Sequence, residues 1–289
     1  MKISVIIPCY NAEKHIGRCL ESLKIQTIGL DNLDVIIVDD HSDDKTIDLI
    51  SGFPARVIRN ERRMQQGYSR NKALEVVVGE YIAFLDADDW IEPDAFEKAY
   101  RAAESGADIV NYAHYPADRK PEGLTVFDNP QKRLEFFIQC KPLRGCWDKI
   151  YKASFVKEYG FRFAEGLIDE ESLFTIPAYL KAKSIYIMND YLYHYEMNDS
   201  GSTCNAVKYH DHCRDNEKVW LQVYERVKND GSLKENYDLF EMFFIINFLV
   251  LSQALAENRG CPYSENEKAS LYHTAKRRFP DFENKVIYQ

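Results

Sequence analysis

The chain has 289 residues, 45% hydrophobic and 29% charged, the balance of a soluble globular protein with room for one large domain and an appendage. Against 37 Lys and Arg stand 46 Asp and Glu, and the net charge of −9 excludes non-specific nucleic-acid binding, which depends on basic side chains neutralising phosphates. Seven cysteines without a CxxC pair exclude a disulfide framework or a zinc site and read as reduced thiols.

Residues 3–8 form a mainly apolar run ending at a proline, as a fully buried parallel strand does. The apolar part, 3–7, is too short for the core of a signal peptide, so export by that route is not expected. Asn11 can cap a following helix, in which Ile16, Cys19, Leu20 and Leu23 recur at helical spacing. Residues 35–38 are a second strand, ending in Asp39 and Asp40, and Ser42 can cap a short helix carrying Ile47 and Ile50. Residues 56–59 are a weaker third strand. Residues 69–78 read as a helix with Gly79 as its stop, and 81–85 as a fourth strand.

This alternation predicts right-handed βαβ units and a parallel sheet with helices on both faces. Such sheets bind ligands beyond the carboxyl ends of their strands. Three stretches fall there: "PCYNAE" (8–13), "VDDHSDD" (38–44) and "DADDW" (86–90). Carboxylates gathered by chance at one sheet edge would repel each other, so the clustering calls for a function.

Beyond residue 94 the pattern loosens. Residues 96–103 read as a helix, 107–114 as a strand, 118–131 as a loop and 183–197 as one or two strands. From about residue 208 the chain reads helical, through Trp220 and 240–251, into a charged tail. A boundary near 210 divides a domain over 1–210 from a helical extension over 211–289. The apolar stretch 239–256 contains Glu241, Asn247 and Gln253. It reads as a buried or homodimer-forming helix, with peripheral membrane contact as the rival and a full span disfavoured by its polar residues.

Two carboxylates two positions apart at a strand end, Asp86 and Asp88, can share a divalent cation. Hard oxygen ligands suit Mg²⁺ or Mn²⁺, which typically bridge protein to phosphate. The plain alternative is a solvated turn capping a helix that begins near residue 92, the role expected of Asp89.

The segments "VIIPCYNAEKHIGRCLESLKIQT", "VDDHSDD", "GYSRNKAL" and "GEYIAFLDADDW", in this order and spacing, resemble family 2 glycosyltransferases of the GT-A fold. The resemblance continues through "GCWDKIYKASF" (145–155), "RFAEGLIDEESLF" (162–174) and "YLYHY" (191–195), covering about residues 1–205. It implies an α/β fold: a Rossmann-like nucleotide-sugar-binding domain with a mixed central sheet, followed here by helices. It also implies a binding site for the nucleotide at Pro8, Tyr10, Asn11, Glu13, Asp39 and Asp40, where Asp40 would accept the ring N–H of uracil. Asp86, with Ala87 beside it, would lie near ribose and metal, and Asp88 would be the direct metal ligand. His194 would be a third metal contact or a diphosphate contact. Arg70 would approach the diphosphate or pair with an acidic strand-end residue. The family's catalytic base lies in a Glu-Asp pair at a helix start. Here that pair is Glu170-Glu171, with Glu171 where Asp is usual and with Asp169 and Glu170 as rivals. The helix dipole is expected to hold the base ionised. Trp147 would stack on a sugar or join the core, and Lys149 would meet phosphate or solvent.

The reaction so implied is a Mn²⁺- or Mg²⁺-dependent, inverting transfer from a nucleotide sugar, most simply UDP-linked. The acceptor is a hydroxyl on a glycan, polysaccharide or lipid-linked intermediate, and the setting is the cytoplasm or the inner membrane face. Two rivals remain. A nucleotidyltransferase would need a glycine-rich basic loop that "PCYNAEKHIG" lacks. A catalytically inactive binding or scaffold protein has the Glu-for-Asp change as its support.

Overall fold

The computed structural model describes residues 1–115, 122–140, 145–196, 209–258 and 260–284. Residues 118–121 of the expected loop, and 197–208 just before the expected boundary, lie outside the described residues.

The first half folds as its alternation predicts. In chain order come β1 (Ile3–Cys9), α1 (Ile16–Lys24), β2 (Leu33–Asp39), α2 (Thr46–Ile50), β3 (Arg56–Arg59), α3 (Gln65–Leu74) and β4 (Tyr81–Phe84). The strands β3, β2, β1 and β4 lie side by side and parallel. Every residue of β1, β2 and β4 is buried, because helices cover both faces. One set of alternate residues, Ile6, Ile36, Val38, Ile82 and Phe84, joins the core that contains Ala73 and Leu74 of α3. The other set, Val5, Ile7, Val35, Ile37 and Ala83, joins the core beneath Cys19, Leu20 and Leu23 of α1. A slip of one residue would exchange these two sets, so register is strongly specified.

The second half turns the sheet mixed. Its elements are β5 (Trp90–Ile91), α4 (Ala95–Ala103), β6 (Ile109–Tyr115), β7 (Gly123–Val126), α5 (Pro130–Cys140), β8 (Lys149–Lys152), α6 (Ala153–Tyr159), α7 (Ser172–Lys181) and β9 (Ser184–His194). Among the described residues the sheet order continues from β4 through β8, β6 and β9 to β5, with β7 also on β9. Strand β8 runs antiparallel to both β4 and β6. The short β5 pairs Trp90 with His194, which brings the acidic turn 86–89 to the end of β9.

Among the described residues the helices that follow are α8 (Tyr209–Asn229), α9 (Ser232–Glu235), α10 (Tyr237–Phe244), α11 (Ser252–Asn258) and α12 (Glu265–Arg278), with a π-helical stretch, Ile245–Leu251, joining α10 to α11. Their buried Trp220, Phe240, Phe244 and Phe279 are continuous with Phe137, Phe174 and Tyr179 in one core. The helix 237–254 is long and apolar enough to cross a membrane by length and composition, yet half of it is buried within the protein.

Several local expectations are corrected, each for a tertiary reason. Helix α3 covers Gln65–Leu74 and not 69–78, because the Asp40 carboxylate reaches across from the end of β2 to accept the N–H groups of Met64 and Gln65, both at 2.7 Å. Gly79 does not stop that helix. It lets the chain run against β1, where a Cβ would sit 2.4 Å from the Ser4 nitrogen. Asn11 caps nothing: α1 starts later, at Ile16, and Asn11 is left-handed at φ 48°. Thr46, the first residue of α2, donates its N–H to Asp44 and not to Ser42.

Candidate active site

The loops at the carboxyl ends of β1 and β2 are tied together by the protein's own hydrogen bonds. Asn11 donates its backbone N–H to the Ser42 hydroxyl at 3.0 Å and exchanges side-chain hydrogen bonds with Asp43. Glu13 donates its N–H to Asp44 at 3.1 Å, and its carboxylate accepts from the Lys45 N–H at 3.2 Å. Pro8, the penultimate residue of β1, is buried beside Val38. Tyr10 projects outward, 37% exposed, with the Arg63 guanidinium 4.1 Å above its ring. Asp39 is fully buried against Arg59 and the Ser42 N–H. Asp40 accepts from Asn60, Met64 and Gln65, so about one of the four or so lone-pair sites of its carboxylate remains.

The turn 86–89 is held from two sides. Tyr193 of β9 accepts the Asp86 N–H at 3.3 Å and donates its hydroxyl to Asp89. Asp89 also accepts the Glu196 N–H at 2.8 Å, so it fastens the turn to β9 and does not cap α4. Arg18 of α1 donates to the Asp88 carbonyl at 2.9 Å and covers the Trp90 ring at 3.6 Å. Ala87 is buried between the aspartates. Burial, then the Asp86 charge, pushes the Asp88 carboxyl up, and burial with Asp86 and Asp88 pushes Asp89 up to about 8.

One guanidinium joins this turn to the start of α7. Arg70, buried in α3, bonds Asp86 at 2.6 Å and Glu170 more closely still, and lies 3.6 Å from Glu171. Arg70 thus pairs with the acidic strand-end residue, one of its two expected roles, and also meets the helix-start pair, a contact the sequence reading did not include. The segment that carries the pair is fixed by Asn71, which exchanges hydrogen bonds with the Phe163 backbone at 2.9 and 3.0 Å. Gly67 permits the approach, since a Cβ there would lie 2.1 Å from the Ala164 carbonyl oxygen.

The three rivals for the base now differ. Glu170 is 1% exposed and locked to Arg70, Asp169 holds a left-handed φ of 64°, and Glu171 keeps 20% of its side chain exposed. Dipole stabilisation does not dominate at Glu171. Burial raises its carboxyl to about 7, with Glu170 and Asp86 adding to the rise and Arg70 opposing it.

His194 accompanies the turn, with Nε2 2.6 Å from Glu92 and its ring stacked on Trp90 at 4.9 Å. Trp147 is half-buried and stacks on Tyr193 at 4.7 Å. Lys149 does not reach solvent; it is fully buried against Asp148 and the Gly145 carbonyl. Tyr193, Arg18, Gly67 and Cys146 escaped the sequence reading, because their partners lie far along the chain and carry no local spacing signal.

Comparisons with known proteins bear on the family and the fold. The model of glycosyl transferase family 2 matches residues 4–158. EpsH of Bacillus subtilis is 32% identical over 68% of this chain, and the poly(ribitol-phosphate) beta-glucosyltransferase of Bacillus spizizenii is 33% identical over 70% of it. The chain spans 60% of the first of these relatives and 33% of the second. Among solved structures, Staphylococcus aureus TarS 1–349 in complex with UDP-GlcNAc superposes with a TM-score of 0.65 at 22% identity, covering 97% of this chain and 92% of that one. The mannosyltransferase PcManGT of Pyrobaculum calidifontis, in complex with GDP-Man and Mn²⁺, superposes at 0.59 with 15% identity, over 95% of this chain and 79% of that one. At these identities the structural likeness speaks for the fold, a GT-A arrangement followed by a helical region.

Proposed function

The chain belongs to glycosyl transferase family 2, and from that premise we propose that it transfers a sugar from a UDP-linked donor, held with a divalent cation, to an acceptor hydroxyl with inversion at the anomeric carbon. The observation that carries this reading is Arg70, which links a carboxylate of the acidic strand end, Asp86, to the pair at the start of α7. Donor anchorage and proton acceptance then belong to one site.

The residues fit a cation. Asp86 and Asp88 offer hard oxygen donors, and the raised carboxyls of Asp88 and Asp89 reflect burial first and then a mutual repulsion that positive charge would relieve. Among the described residues no set of three or more His, Cys, Asp or Glu side chains is arranged to hold a metal. Diphosphate oxygens and water would complete the coordination, as is usual for Mg²⁺. When bound, Mn²⁺ or Mg²⁺ supplies charge that stabilises the departing diphosphate.

The chain's own side chains do the rest. Tyr10 and the residual lone pair of Asp40 receive the base, with Asn11 and Glu13 shaping that loop. Glu171 accepts the proton of the acceptor hydroxyl as its oxygen attacks the anomeric carbon. The bond to the diphosphate breaks on the opposite face, so an α-linked donor gives a β-linked product. The relatives' names make polyol-phosphate chains reasonable acceptors beside other polysaccharides and lipid-linked glycans. We take residues 1–210 as the transferase domain and 211–289 as the extension that shapes acceptor choice.

UDP with Mn²⁺ is expected to raise the melting temperature, and Asp88→Ala to abolish that rise, because only the folded state binds. The product anomer, read by NMR, should be inverted. Full activity in a chelator, or retention at the anomeric carbon, would defeat the scheme.

A further inference from the structure

Glu171 stands where the family uses the shorter aspartate, and the extra methylene adds a rotatable bond to a group that must be held still. A base out of place by about 1 Å can cost about a hundredfold in rate. The ion pair with Arg70 at 3.6 Å is too long for a hydrogen bond and orients the carboxylate loosely. One side-chain hydrogen bond reaches that carboxylate among the described residues. It comes from Cys146, whose Sγ donates to Oε1 at 3.1 Å.

The thiol is itself well fixed. Cys146 has no exposed surface. Buried Lys149 donates to the Gly145 carbonyl at 2.6 Å, and Tyr112 donates to the Trp147 carbonyl at 2.9 Å, so the backbone is pinned on both sides of the cysteine. Burial, with Glu171 nearby, pushes the Cys146 thiol well above its ordinary range, so it remains an S–H donor at neutral pH. A buried, protonated thiol of this kind is no nucleophile.

We propose that Cys146 is a positioning residue for the reaction, holding the longer carboxylate of Glu171 in the place from which it takes the acceptor's proton. This inference rests on the reading of Glu171 as the base. Among the described residues, the groups around that carboxylate are Arg70 from α3, Asp86 from the strand-end turn, Glu170 from its own segment and Cys146 from the turn before β8. Of these, Cys146 is the neutral hydrogen-bond donor, and its loss leaves the local charge unchanged.

The test uses whichever of UDP-glucose and UDP-N-acetylglucosamine the full-length protein turns over with water as acceptor, each assayed with Mn²⁺. Cys146→Ala is expected to lower kcat about tenfold with the donor KM unchanged, since the donor site is untouched. Cys146→Ser, which keeps a donor, is expected to recover most of that loss. Melting temperature is followed for both variants. An unchanged kcat in Cys146→Ala, or equal losses in the Ala and Ser variants, overturns the proposal. Glu171→Gln separates the two readings. If it retains turnover, the base assignment has failed. If it is inactive while Cys146→Ala is normal, the positioning role alone has failed.

Discussion

A carboxylate that titrates near neutrality is poised to accept a proton at the pH of a cell, and Glu171, raised to about 7 by burial, meets that requirement. The sign follows directly: below that value Glu171 carries the proton it should accept. kcat/KM is expected to fall about tenfold per pH unit on the acid side of 7. Glu170 shares Arg70 with it, so the observed limb belongs to the pair. The same shift bears on stability. The folded chain holds this proton more tightly than the unfolded chain, whose value is near 4.5, so the contribution of Glu171 to stability declines as pH rises from there through about 7. Arg70 is the complementary case. Arg70→Ala leaves buried Glu170 without its counter-ion and is expected to cost ~3–5 kcal/mol in denaturant unfolding. Arg70→Lys does not restore it, since an ammonium lacks the planar fork that serves carboxylates on two sides.

Helix α3 is the element on which the site is mounted. Its first turn is held by Asp40 from β2, Gly67 lies against the Ala164 backbone, and Arg70 and Asn71 grip the turn 86–89 and the segment 163–171. Gly67→Ala forces a Cβ into a space 2.1 Å from a backbone oxygen, which must give. Overpacking of this kind costs ~1–3 kcal/mol, and it should displace Arg70 as well, so both melting temperature and turnover are expected to fall. Gly17→Ala is the control. Gly17 lies within α1 with nothing near its Cβ position, and alanine there is expected to stabilise by ~0.5–1 kcal/mol with turnover unchanged.

At the scale of the whole molecule, the helices after residue 209 share a core with α5 and α7. Trp220, Phe240 and Phe244 are fully buried in the cluster that holds Phe137 and Phe174. A chain ended at residue 208 would leave much of that apolar surface in water, and burial of each large apolar side chain is worth ~1.5–3 kcal/mol. Such a fragment is expected to lose cooperative melting and to aggregate, as read by circular dichroism and size-exclusion chromatography. A fragment that melts cooperatively would instead establish 1–210 as an independent folding unit. The apolar stretch 237–254 is in keeping with this: half of it is buried in the protein, while Ile246, Val250 and Leu251 stay exposed.

The sequence by itself determined the strands of the first half, the edge at which their polar ends collect, the acidic turn 86–89 and the family. Apolar runs, helical spacing and short motifs are local signals, legible within a few turns of chain. Tertiary structure alone decided which polar groups meet. Asp40 starts a helix 25 residues later, Arg70 joins Asp86 to Glu170 across 100 residues, and Tyr193 holds Asp89 across 104. It also placed Cys146 on Glu171 and raised that carboxylate, where the helix dipole taken alone argued for a lowered one. The physical reason is that a charge's behaviour depends on desolvation and on neighbours brought in by chain closure. Neither is written in the spacing around the residue itself.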